Sequence, residues 1–421
     1  MADAYLLENG TDRYLLEDGS GVLLLDVIEP GMLVGADATG TPHSGHLFYA
    51  VNSARWWFIY VRPATPTILR SAWSTDLLAW TDDATATLAQ SVGKGTDLVA
   101  AYRNIAATDV LHVGYSVKLS NTDRRHYHLR ATISGSTLTW AADAQISFTA
   151  TGSYAPDAPD GPSLAYDSAD KLWTHSGFAV SSGSGSVAGA WHEQSTNADA
   201  GTSWTAGWGT PAQDEAIAAS VASRSMLDLG ATTMLSLWDD GATDTNLNDV
   251  RWSKFSGTWG APANVFASVI SIVKQDWGAC LRTTTDVHAV RRTAATTYEH
   301  RRFNGTSWSA GASIPTQASK AGAGVFLSSD GTDVWCFVID SAAGNAIRSC
   351  KWSSGTGTWG AWTDVETSSQ VRTALSGHRT AVAGGIIGLA WTEVDGASFK
   401  VVTKPFTTGL PSLVTPQRLV A

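Results

Sequence analysis

Long apolar runs, charge and cysteine are all scarce in this sequence. No uninterrupted apolar stretch approaches the ~20 residues of a membrane-spanning helix, so insertion by a helix is not expected. The start, Met1-Ala2-Asp3-Ala4, lacks the basic stretch that opens a secretory leader, so no export signal is expected. Charged residues make up only 16% of the chain and the net charge is −10. A surface of that sign repels phosphate backbones and anionic lipid. Nucleic acid and membranes are therefore poor partners, whereas neutral glycans are not affected. The three cysteines are Cys280, Cys336 and Cys350. An odd, sparse count gives no disulfide framework. Cys336 and Cys350 sit at a spacing that suits one hairpin, which leaves a single bridge open beside the plainer role of small buried hydrophobes. No phosphate loop, dinucleotide fingerprint or Gly-x-Ser-x-Gly elbow occurs. No cofactor is expected.

Tryptophan and glycine are plentiful, at 19 and 40 residues. Trp favours strands and glycine favours tight turns, so a shared spacing of the two would mark a strand-and-turn repeat. A Trp closes successive units at Trp80, Trp140, Trp204, Trp259, Trp308 and Trp359, at steps of 49 to 64 residues. A short turn often precedes it, as in Gly305-Thr-Ser-Trp308 and Gly357-Thr-Trp359. Before the Trp comes a strand with charged residues, such as Val250-Arg-Trp-Ser-Lys-Phe255. Before that lies an apolar strand, such as Val334-Trp-Cys-Phe-Val338 or Trp56-Trp-Phe-Ile-Tyr60. Earlier still is a strand of small residues, such as Ser163-Leu-Ala-Tyr166. Four strands graded from small to apolar to charged describe a propeller blade, crowded at the axis and wet at the rim.

The expected fold is therefore all-β, a β-propeller of seven blades over residues 44–406, with six as the alternative count. A seventh unit, with Thr373-Ala-Leu-Ser376, Ile386-Ile-Gly-Leu-Ala-Trp391 and Phe399-Lys-Val-Val-Thr403, lacks a closing Trp strand. Its missing strand is expected from the linker at 28–43, around Met32-Leu-Val-Gly35, in preference to the C-terminal tail at 407–421. Residues 1–27 stand apart. Tyr5-Leu-Leu-Glu-Asn-Gly10 recurs as Tyr14-Leu-Leu-Glu-Asp-Gly19, followed by Val22-Leu-Leu-Leu-Asp26. Asn-Gly and Asp-Gly are hairpin turns. So small a sheet is marginal by itself, and it reads as a hairpin adaptor that packs on another chain.

Candidate chemistry is sparse. Asp76, Glu193, Glu299 and Glu393 are the carboxylates considered for a glycosidase pair, and nothing in the sequence brings two of them together. His126 and His128 share a strand face, and His192 lies beside Glu193, but a complete metal set is not indicated; neither a metal site nor a catalytic residue is assigned. Arginines cluster at Arg124, Arg125 and Arg130, at Arg291 and Arg292, and at Arg301 and Arg302. Pairing with nearby acids on solvated faces is the plain reading. Convergence on the axis to bind an acidic sugar is the sharper one. Trp56, Trp57, Trp73, Trp208, Trp277 and Trp362 fall outside the closing-Trp rule and are the candidates for stacking on a sugar ring.

Three resemblances add to this. Asn197-Ala-Asp199-Ala-Gly201-Thr-Ser-Trp204 resembles the Asp-box turn of sialidase-type propellers, and Ser74-Thr-Asp76-Leu-Leu-Ala-Trp80 resembles a shortened form of it. The resemblance implies folding roles for Asp76 and Asp199. The sialidase opening Phe-Arg-Ile-Pro is absent, with Tyr102-Arg-Asn-Ile105 a distant echo. Trp359-Gly-Ala-Trp362 looks like units of propeller lectins. The N-terminal repeat resembles hairpins at the ends of tailed-bacteriophage virion proteins. This last likeness implies a non-enzymatic virion component, a tail fibre, spike or decoration. It would bind other virion proteins through residues 5–26, form a homo-oligomer with a trimer favoured, and present a host-glycan surface. A sialidase-like or other glycoside hydrolase, and a free-standing lectin, are the alternatives.

Overall fold

The computed structural model describes residues 13–15, 22–24, 43–62, 65–92, 98–120, 123–141, 144–149, 153–154, 163–182, 185–195, 213–217, 221–240, 249–266, 276–294, 296–316, 324–340, 345–367, 370–395, 398–409 and 417–418. Every regular element among them is a strand. Arg13–Leu15 and Val22–Leu24 form a separate antiparallel hairpin, Tyr14 opposite Leu23. The other strands make seven antiparallel sheets of four or five strands each.

In six sheets the strand that comes first in sequence is innermost. These strands are Leu47–Ala50, Leu98–Ile105, Val221–Asp228, Trp277–Thr283, Val325–Ser329 and Arg372–Gly377, in the first, second, fourth, fifth, sixth and seventh sheets. Ser163–Tyr166 takes that place in the third sheet. Each of these strands lies against its counterpart in the next sheet, and Arg372–Gly377 lies against Leu47–Ala50 of the first. Radial antiparallel sheets with their first strands gathered in sequence order make a β-propeller.

The small-to-apolar grading explains the layers. At the inner strands backbones approach so closely that side chains would collide. A Cβ on Gly278 would sit 2.2 Å from the Val325 carbonyl oxygen, and one on Gly45 2.4 Å from that of Ala100. The second strands are apolar on both sides because both faces of each sheet meet a neighbouring sheet. Trp57, Ile59 and Val61 face one cluster, with Leu98 and Leu111 of the second sheet. Trp56, Phe58 and Tyr60 face the other, with Trp80 and Ala390 of the seventh.

The closing Trp residues enter the fourth strands or the turns before them. Trp308 begins Trp308–Ala310 and Trp359 ends Thr358–Trp359. Trp80 precedes Thr81–Thr87, is buried, and donates its indole N–H to Thr403 Oγ1 of the seventh sheet at 2.9 Å. Trp259 stacks on His192 of the preceding sheet at 3.6 Å between centroids. Trp140 ends the strand Thr137–Trp140, half-buried, and Trp204 lies outside the described residues. The fourth strand of the seventh sheet is Gln417–Arg418 from the tail, pairing with Val402 and Thr403. The segment favoured for this place, around residues 32–35, lies outside the described residues. The three cysteines are free and buried. Cys336 and Cys350 do face each other across two strands, Val334–Asp340 and Ala346–Ser353.

The turn at Ser74 through Trp80 is held by two side-chain oxygens. Asp76 Oδ1 accepts the backbone N–H groups of Leu78 and Ala79 at 2.8 and 3.0 Å, and Ser74 Oγ accepts those of Asp76 and Leu77. Partial burial works against the charged carboxylate, but these bonds prevail and hold its pKa below the ordinary value. Asp76→Ala strips two backbone donors of their acceptor, much as at a lost helix cap. The expected loss is about 1–2 kcal/mol, read as a lower unfolding midpoint, with no change in any ligand binding. Asp199, the second such position, lies outside the described residues.

Candidate functional site

The inner strands leave a cavity of about 300 Å³ at the axis. Its walls come from His43, Gly45, Leu47 and Phe48 of the first sheet, Ala100 to Arg103 of the second, Leu164 to Tyr166 of the third, Met226 to Asp228 of the fourth, Leu281 of the fifth and Gly377 to Thr380 of the seventh. The polar lining falls at or near the ends of strands because inner strands must be small along their packed length and only there have room for larger side chains.

Arg379 is the central group. It follows the inner strand of the seventh sheet and spans the axis. Nη1 donates to Ser225 Oγ of the fourth sheet at 3.0 Å, and Nη2 donates to the His43 carbonyl of the first at 2.6 Å. Burial lowers its pKa to about 10. Two imidazoles stand beside it. Burial, reinforced by the Arg379 charge, holds His43 well below the usual histidine range. His378 is lowered to about 4, by burial first and then by Arg379, against the opposing Thr380 carbonyl. Both rings are neutral at physiological pH, so Arg379 is the cation of this part of the cavity.

Arg103 and Asp228 are the other charged groups of the lining. Arg103 Nε donates to Asp170 Oδ1 at 2.8 Å, both side chains about one-third exposed. Burial raises the Asp228 pKa, opposed by the Gly230 N–H and by Arg103 and assisted by Asp167 and Asp170. Tyr102 stacks on Phe48 with centroids 5.4 Å apart. Its hydroxyl donates to Asp109 Oδ1 at 2.6 Å and accepts from the Val51 N–H. Burial and that carboxylate push the phenol pKa up. A phenol so held keeps its proton and is unsuited to the nucleophile role of a sialidase.

The described tryptophans among the ring-stacking candidates lie elsewhere. Trp57 and Trp277 are fully buried and Trp56 is 2% exposed, so all three are core residues with no face left for a ligand. Trp57 lies opposite Trp73, which is half-buried beneath the Arg55 guanidinium at 4.6 Å. Trp362 is buried and donates to the Pro315 carbonyl at 2.6 Å. Trp208 lies outside the described residues. Two of the arginine clusters pair with acids: Arg291 and Arg301 with Glu299, Arg292 with Asp276, and Arg302 with Asp286; the Arg124 and Arg125 side chains are outside the described set. Of the carboxylates considered, Asp76 serves its turn, Glu299 serves those arginines and Glu393 pairs with Arg372. The Glu193 and His126 side chains are outside the described set. Among the described residues no group of three His, Cys, Asp or Glu is placed to hold a metal ion.

Sequence reasoning missed Arg379, Asp228, His43 and His378. The usable signal was a charged residue just past a small-residue strand, as in Thr373-Ala-Leu-Ser-Gly-His-Arg379.

No protein-family profile matches the chain, and no curated protein matches it. Solved structures do. A polysaccharide lyase, an ulvan lyase bound to -[GlcA(1-4)Rha3S]-, superposes with a TM-score of 0.56 at 11% identity, covering 90% of this chain and 94% of the lyase. The Aleuria aurantia lectin, in complex with Fucalpha1-6GlcNAc, gives 0.48 at 11% identity over 93% and 98% of the two chains. A Mycobacterium tuberculosis puromycin-hydrolyzing peptidase gives 0.48 at 13% identity over 94% of this chain and 57% of its own. At such identities the likeness to the lyase is one of fold.

Proposed function

We propose that this chain is a carbohydrate-binding, seven-bladed propeller that takes a saccharide in its axial cavity. The observation that carries the reading is the lining of that cavity. Aromatic and aliphatic groups (Phe48, Tyr102, Tyr166, Leu227) face the same space as a few fixed hydrogen-bonding groups. That mixture suits a sugar, which offers apolar ring faces and polar edges. The volume is at the small end of ligand pockets, so a short saccharide or a chain end is the fitting occupant. The test is a glycan-array screen of the purified full-length protein, scored for retention and for product release. Retention is expected, and Thr380→Trp, at an exposed position of the lining, is expected to abolish it without lowering the unfolding midpoint. Retention unaffected by that substitution would place the sugar elsewhere.

Cleavage of the bound glycan is a second reading, favoured by one feature. The raised pKa of Asp228 suits a proton donor. Release of product, lost in Asp228→Asn, would establish it.

The virion placement belongs to the same proposal. It draws on the hairpin of Arg13–Leu15 with Val22–Leu24, which joins none of the seven sheets. Deleting residues 1–27 is expected to leave a folded but monomeric propeller by sedimentation, from an oligomeric, trimeric parent. A truncated protein that stays oligomeric removes the adaptor role.

A further inference from the structure

We propose that Arg379 is the receptor for a carboxylate, so that the axial cavity takes an acidic sugar such as a uronate. This rests on the reading of that cavity as a saccharide site and adds the class of saccharide.

The first argument is the missing counter-ion. The other enclosed arginines of the described residues illustrate the rule that a desolvated guanidinium is paired. Arg372 has Glu393 and Glu366, Arg292 has Asp276, and Arg348 has Asp340. Among the described residues no carboxylate pairs with Arg379. Its two bonds go to a hydroxyl and a carbonyl, both neutral. Arg379 is partly buried, and a cation left in that condition loses part of its hydration without a counter-ion, a cost that an anionic ligand would offset.

The second argument is geometry. The guanidinium has five N–H donors. Ser225 and His43 each take one, from different terminal nitrogens, which fixes the plane of the group across the axis. Three donors remain for the cavity that Arg379 lines. A planar fork fixed in this way matches the two oxygens of a carboxylate.

The third argument is the charge of the surroundings. His43 and His378 are neutral, so they neither repel the cation strongly nor compete with it for the anion. Arg103, the other arginine of the lining, already has Asp170. Asp228 has a raised pKa and its Oδ1 accepts from the Gly230 N–H at 2.8 Å. It is not salt-bridged to Arg379. The free positive charge of the cavity is therefore localised on one group.

The experiment is titration calorimetry of the full-length protein with three probes of equal length. They are an oligogalacturonate, its carboxyl-reduced neutral counterpart, and a sulfated neutral oligosaccharide. The oligogalacturonate is expected to bind best, and Arg379→Gln to weaken it by about 10- to 100-fold, the usual worth of a hydrogen-bonded charge pair, and to weaken the neutral probe by much less. Arg379→Lys, which keeps the charge and loses the fork, is expected to recover only part. Arg379 also tethers three sheets, and its loss can leave the Gln variant unfolded. In that event the wild-type preference for the oligogalacturonate over its reduced counterpart decides. Equal binding of those two probes overturns the proposal but leaves the saccharide cavity standing, provided Thr380→Trp abolishes both. A preference for the sulfated probe over the oligogalacturonate overturns the carboxylate assignment. Failure of all three probes to bind, together with silence on the glycan array, removes the saccharide reading as well.

Discussion

Arg372→Ala is expected to destabilise the propeller by about 3–5 kcal/mol, the usual effect of breaking a buried ion pair by removing one partner. Arg372 opens the inner strand of the seventh sheet with its side chain 1% exposed, and Glu393, on the neighbouring strand, is equally enclosed. Arg372 Nε donates to Glu393 Oε1 at 2.9 Å. Its Nη1 donates to the carbonyls of Asn345 and Glu366 in the sixth sheet, at 3.1 and 3.0 Å. The guanidinium also lies 5.2 Å from the Trp391 ring centroid, and Trp391 donates its indole N–H to Glu393 Oε1. Lys404 completes the group by donating to Glu366 Oε2 at 3.1 Å and to the Val365 carbonyl at 2.7 Å. The substitution therefore removes the Arg372 cation from the enclosed Glu393 carboxylate and one donor from each of two carbonyls. It does so at the junction of the sixth and seventh sheets, away from the axial cavity. Replacing both members, Arg372→Met with Glu393→Met, is expected to recover much of the loss, because neither partner's charge then stays buried without the other. Denaturant midpoints of the two single variants and the double variant check this. A single-variant loss below about 1 kcal/mol would mean that the pair behaves like an exposed one.

The inner, second and third strands of the repeat were legible in the sequence where they satisfy a local rule. Val334 to Val338 is apolar throughout because two sheets cover it, and the structure places it within Val334–Asp340. The turn at Ser74 through Trp80 was legible because its oxygen and its amide donors lie within five positions. The tail strand Gln417–Arg418 was ranked second because it carries no apolar pattern of its own. The tryptophan candidates for ligand contact were chosen by default, as those the closing-strand rule did not use. That choice ignores that each sheet of a propeller has two covered faces. Trp57 fills one face of the first sheet and Trp56 the other. The axial site was not legible for a different reason. It draws one or two residues from each of several sheets, and the two bonds of Arg379 reach back 154 and 336 positions. No local pattern spans such distances, and a lone Arg in a turn has no distinguishing neighbour.

Acid is expected to loosen the propeller well before its carboxylates titrate, because stacked histidine pairs are enclosed between sheets. His112 and His128 of the second sheet stack with centroids 4.7 Å apart, and His112 meets Tyr166 of the third. His175 and His192 of the third meet Trp238 and Trp259 of the fourth. His288 and His300 of the fifth meet Trp352 and Trp359 of the sixth. In the last pair the proton positions follow from the donors. Trp359 Nε1 can only donate, and it does so to His300 Nδ1 at 3.2 Å. His300 Nε2 then donates to His288 Nδ1 at 2.9 Å, and His288 Nε2 points at Asp286. Burial, and secondarily the neighbouring imidazole, lower the His300 pKa from 6.5 to about 3. Burial likewise lowers His288, against the pull of Asp286 and with Arg302 and Arg282 assisting, and burial with His192 and Arg224 lowers His175.

A histidine with a depressed folded pKa binds its proton first in the unfolded chain. Its contribution is therefore intact above the unfolded value of 6.5 and is lost as pH falls toward the folded value. By about pH 4, His300 alone withdraws roughly 3 kcal/mol, and His175 and His288 add to it. Asp286 behaves separately. Its burial would raise its pKa, but His288, Arg302 and Arg282 hold it far below the ordinary carboxylate value of 3.8. Its stabilisation is present above 3.8 and falls only below that, so the window from pH 6.5 to about 4 is dominated by the imidazoles. Unfolding midpoints across that window should fall steeply in the wild type. They should fall less in His300→Gln, whose amide can still accept from Trp359 and donate to His288 but takes up no proton. A flat profile in the wild type, or an equal slope in the variant, would show that protons reach these rings without opening the sheets.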